Sequence, residues 1–70
     1  MDEYDIRFEA GELAFSWLNG NLSHVYEAIG TMAGRKAAVV AALVTAALKG
    51  EDRDRFIGGL TARWFLNQGE

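Results

Sequence analysis

Seventy residues, 50% hydrophobic and 24% charged with a net charge of −3, make a single folded domain at most and lie far from the composition of a disordered chain. A core this small usually needs help, and with no cysteine and one histidine neither disulfides nor a zinc site supply it, so association with another subunit is the stabiliser left. The acidic opening MDEYDIR lacks the basic and apolar regions of a secretory leader, and residues 1–70 are read as one cytoplasmic helical domain.

The first element runs from about Asp2 to Leu18 and stops at Asn19-Gly20, where glycine supplies a left-handed terminal residue. Its start alternates Tyr4, Ile6 and Phe8 with Asp5, Arg7 and Glu9, the period of a half-buried strand. A lone strand has no edge to join unless two copies pair across a dimer, so helix is the preferred reading. That helix carries two apolar stripes: Tyr4, Phe8, Gly11, Phe15 and Leu18 in alternating steps of four and three, and Ile6, Ala10, Leu13 and Trp17 on nearly the opposite side. A surface helix of a small monomer needs one stripe. The second calls for a cover from the same chain or from another molecule.

Asn21 or Ser23 is placed to cap a short second helix, in which Leu22, Val25, Tyr26, Ile29 and Met32 recur at helical spacing. Gly30 and Gly34 mark its end, and Thr31 is the expected cap of the third helix, which holds AAVVAALVTAAL and stops at Lys49-Gly50. Twelve residues rise only ~18 Å against ~30 Å of hydrocarbon, and charges close the run on both sides, so no membrane span is expected. Projected on a helix, Val39, Val40, Leu43, Val44 and Leu48 form a branched half for the core. The other half holds Gly34, Ala38, Ala41, Ala42, Thr45 and Ala46. Alanine there is either an exposed helix former or a surface for close helix packing, and the lack of any charge between Lys36 and Lys49 favours packing.

Asp52 is the expected cap of a fourth helix with Phe56, Ile57, Leu60 and Trp64 on one face, fraying over Asn67-Gln68-Gly69-Glu70. Gly58-Gly59 lies within it at a cost of ~1 kcal/mol per glycine relative to alanine. Either Gly58 and Ala62 form a close-approach groove, or the helix kinks there.

Catalytic and cofactor signatures are missing from this pattern. Ser23 and His24 are adjacent without a third group at a family-like spacing, and His24 reads as a capping or surface residue. The N-terminal acids lack the glycine and Asp/Asn spacing of a calcium loop, and no glycine run cradles phosphate, so no metal or cofactor is expected. Residues 21–44 have the length and central glycine of a helix-turn-helix. The fit is poor: with Gly30 as the turn, Tyr26 stands where a small residue lets the helices touch and Lys36 where an aliphatic one is usual. After Arg35 and Lys36 the recognition helix offers alanine and valine rather than side chains that read base edges. Residues 1–30 carry six acids against Arg7 alone, and residues 31–70 four acids against six bases. This division suits attraction between the first helix and the arginines of the second half more simply than contact with phosphate.

The reading that results is an all-α bundle of about four short helices with a helix-turn-helix-like central pair, forming a homodimer. It is a non-enzymatic module that binds an unidentified protein as an adaptor or inhibitor, in a size range that suits phage or mobile-element accessory proteins. The interface is expected at Tyr4, Ile6, Leu13 and Trp17 of the first helix and Ala38, Ala41, Ala42 and Thr45 of the third. Phe65, which falls off the Phe56-Leu60-Trp64 stripe, is a further anchor. The alternative is a helix-turn-helix regulator contacting nucleic acid through Arg35 and Lys36.

Overall fold

The structure, a computed structural model, describes residues 3–68, with side-chain surroundings for residues 4–63. Four helices follow one another: α1 (Glu3–Leu18), α2 (Leu22–Gly30), α3 (Gly34–Ala47) and α4 (Gly50–Gln68). The alternation at Tyr4, Ile6 and Phe8 is helical from its first turn, since a helix satisfies its own backbone and needs no neighbouring edge.

The helix boundaries follow local chemistry. α1 closes through paired terminal bonds: the Asn21 N–H donates to the Ser16 carbonyl and the Gly20 N–H to that of Trp17, both at 2.9 Å. Gly20 makes this possible at φ +89°, a conformation costly for residues with a Cβ. Asn19 adds a bond from Nδ2 to the Phe15 carbonyl at 2.9 Å. Thr31, expected to open α3, instead closes α2, its N–H donating to Glu27 and its hydroxyl to the Ala28 carbonyl at 2.8 Å. Ala33 takes the cap position of α3 without a side-chain bond, and the Asn21 side chain likewise makes none for α2. α3 ends at Ala47, ahead of the expected Lys49-Gly50, because Leu48 turns extended and buries its side chain. α4 begins at Gly50, which puts Asp52 in its first turn beside Glu51, where both carboxylates favour the positive helix end.

The core forms where α1 lies on α3, the most extensive contact among the described residues, with α2 against α1 and α4 joined to α3. From α1 come Ala10, Leu13, Ala14 and Trp17; from α2, Val25 and Ile29; from α3, Val40, Ala41 and Val44, followed by Leu48. The small residues Ala10, Ala14 and Ala41 on the buried faces of α1 and α3 let these two helices approach closely. The division of α3 is therefore rotated from the expected one: Ala41 is buried while Val39 is exposed. Glu9 and Lys36 pair at 3.0 Å across the same two helices, at partly exposed positions where such a bridge contributes about 0.5 kcal/mol.

Phe56, fully buried, anchors α4. It meets Trp17 edge-on at 5.3 Å between centroids and stacks on Tyr26 at 6.1 Å, while Trp17 and Tyr26 meet edge-on at 5.5 Å. Arg63 lies over the Tyr26 ring at 3.9 Å from its centroid. The Tyr26 hydroxyl donates to the Arg55 carbonyl at 3.3 Å, and a Cβ added to Gly59 would fall on the Tyr26 phenol. α4 runs unbroken through both glycines, and Gly59 rather than Gly58 provides the close approach. Burial pushes the Tyr26 phenol above its ordinary pKa of 10.0, and the charges of Arg63 and Arg55 offset part of that rise.

Candidate protein-interaction surface

With one stripe of α1 spent on the core, the other faces outward. Tyr4 is 82% exposed, Phe8 70%, Phe15 66% and Leu18 62%, while Ala10, Leu13 and Trp17 on the opposite side are buried. Few small soluble domains present four large apolar side chains in line on one helix without a covering partner. Gly11 sits at the middle of the stripe with open space where its Cβ would be. The resulting notch, about 290 Å³ between Phe8, Gly11, Glu12 and Phe15, gives the face a concave centre between two phenyl rings. A second open groove, about 460 Å³, runs from Phe8, Asp5, Glu9 and Glu12 across Leu13 to His24 and Ala28 of α2. The surface is thus an apolar ridge with an acidic flank on the side of Asp5, Glu9 and Glu12.

The residues expected at an interface divide in the structure. Tyr4 lies on the exposed stripe. Leu13, Trp17 and Ala41 are buried in the protein's own core, and Ile6 packs against it. Thr45 is half-buried and its hydroxyl donates to the Ala41 carbonyl at 2.8 Å, folded back on its own helix. Ala38 and Ala42 are exposed, on the far side of α3 from its contact with α1. Phe65 and Trp64 lie outside the described side chains. Arg35 is exposed, whereas Lys36 is engaged by Glu9.

The expected interface draws Ile6, Leu13 and Trp17 from one stripe and Tyr4 alone from the other, whereas the exposed stripe is the one that also holds Phe8, Phe15 and Leu18. Side-chain size held the missing signal. The Ile6 stripe includes Ala10 and is flanked by Ala14, so it can approach an alanine-rich helix closely. The Phe8 stripe interposes two phenyl rings and a phenol, which would hold α3 at a distance.

Among the described residues no group of three or more His, Cys, Asp or Glu side chains is arranged to hold a metal ion, and no helix is long and apolar enough to cross a membrane. No protein-family model, curated protein or solved structure matches this chain.

Proposed function

We propose that this chain is a non-enzymatic protein-binding module, an adaptor or inhibitor of another protein, that works as a homodimer whose self-association surface is the exposed face of α1. The observation that carries the reading is the row Tyr4, Phe8, Phe15 and Leu18, each more than 60% exposed on one side of a single helix. Aromatic side chains supply large contact area for little lost rotamer freedom, which makes them frequent anchors of protein interfaces. Sedimentation tests the reading directly. The wild type should self-associate in the micromolar range, and a stable monomer throughout that range would overturn it.

The nucleic-acid alternative rests on the α2–α3 pair and the exposed Arg35 at the start of α3. Less supports it, because Lys36 is held by Glu9 and the outward positions of α3 after Arg35 are Ala38, Val39, Ala42, Ala46 and Ala47, none of which reads a base edge. A steep salt-dependent gel shift on duplex DNA, abolished by Arg35→Ala with Lys36→Ala, would reverse the ranking.

A further inference from the structure

We infer that the occupant of the α1 face is α1 of a second copy, parallel and in register, so that Arg7 of each chain faces Glu12 of the other. The pairing rests on the homodimer reading above and adds the direction and register of the contact. The exposed residues Tyr4, Phe8, Gly11, Phe15 and Leu18 alternate steps of four and three, the 3.5-residue repeat of a two-stranded helical seam. In that repeat Phe8 and Phe15 take the a positions and Tyr4, Gly11 and Leu18 the d positions. Asp5 and Glu12 then fall at e, and Arg7 at g.

Charge sets the direction. In a parallel pair the g residue of one heptad faces the e residue of the partner's next heptad, which matches Arg7 with Glu12 twice by symmetry. An antiparallel pair crossing at Gly11 would instead place Glu12 beside its own copy, two like charges at the centre of the contact. The notch at Gly11 lets the backbones draw together between the flanking phenyl rings.

Area sets the strength. At ~200 Å² per large side chain, the exposed parts of the four residues amount to about 560 Å² per copy, or about 1,100 Å² for the pair when all of it is covered. That is the lower limit for a specific interface and suits a micromolar, reversible dimer.

The chain has no cysteine, so a single introduced thiol reports on geometry without background. Leu18→Cys should cross-link to itself under mild oxidation, because parallel register sets position 18 against position 18. An equimolar mixture of Tyr4→Cys and Leu18→Cys should yield the two self-linked species in preference to the mixed one. Predominance of the mixed species would overturn the parallel direction and leave the homodimer intact. Arg7→Glu alone should weaken association at least several-fold, and adding Glu12→Arg in the same chain should restore it. Failure of that restoration in a protein that still dimerises would overturn the register. A helical Phe8→Glu, Phe15→Glu variant that still sediments as a dimer would move the interface off α1, while a monomeric wild type would remove this pairing and the homodimer reading together.

Discussion

Two neighbouring glycines in α4 have different roles. An added Cβ at Gly58 meets open space, whereas at Gly59 it meets Tyr26, whose ring is confined by Phe56, Trp17 and Arg63. Gly58→Ala should therefore stabilise the fold by up to about 1 kcal/mol through helix propensity. Gly59→Ala should destabilise it by about 1–2 kcal/mol, the cost of overpacking exceeding the same propensity gain. Urea denaturation of the two variants side by side checks the contrast. Tyr26 also gives the fold a pH limit. Its phenol is raised above 10.0 by burial, so as pH climbs past 10 the unfolded chain releases this proton first and binds fewer protons than the native state. Stability should fall with rising pH in that window, and Tyr26→Phe should remove this part of the decline. Below the window the same substitution should cost no more than about 1 kcal/mol, since the bond to Arg55 is long at 3.3 Å.

Among the elements, α1 and α3 are matched by size. Ala41 sits 5% exposed in their contact while its neighbour Ala42 points outward. Ala41→Leu should force the helices apart and cost about 1–3 kcal/mol. Ala42→Glu should change stability by less than about 0.5 kcal/mol, as expected of an exposed helix position. Thermal unfolding of the pair separates the buried from the outward side of α3. If Ala42→Glu instead weakened self-association, the outer face of α3 would join α1 in the interface. Phe8, Phe15 and Leu18 on the other side of α1 stay more than 60% exposed, and this sets α1 apart from its neighbours among the described residues.

For the whole molecule, a flat shape explains the uncovered face. The principal extents are 34 × 29 × 17 Å, and the thin dimension is close to two helix layers at about 10 Å each. Two layers bury one side of each helix and leave the other side outward. The total stability expected for 70 residues is about 4 to 10 kcal/mol, so single core residues carry a large share. Phe56 is the buried apolar side chain of α4 among the described residues, and Phe56→Ala should cost about 3–5 kcal/mol. Loss of cooperative unfolding by circular dichroism, or a fall in midpoint of about 12 °C or more, is the expected result. If the chain pairs as proposed, dilution should also lower the wild-type midpoint, because association adds stability by mass action.

Helix number, order and approximate limits were legible in the sequence because they depend on local rules: periodicity of three and four, glycine after the last turn, and a twelve-residue run too short to cross a bilayer. The two stripes of α1 were legible for the same reason. Periodicity places residues on a face without saying what that face meets, and here the assignment turned on the fit between helices. Leu13 and Trp17 went inside because the stripe containing Ala10 could lie close to Ala41, and the phenyl rings of Phe8 and Phe15 were left outside. Thr31 closed α2 instead of opening α3, because its hydroxyl found the Ala28 carbonyl one turn back. Gly59, indistinguishable from Gly58 along the chain, acquired its role only when Tyr26 arrived from a segment thirty-odd residues away. Contacts between distant segments depend on side-chain volumes meeting in three dimensions, and local periodicity does not contain that information.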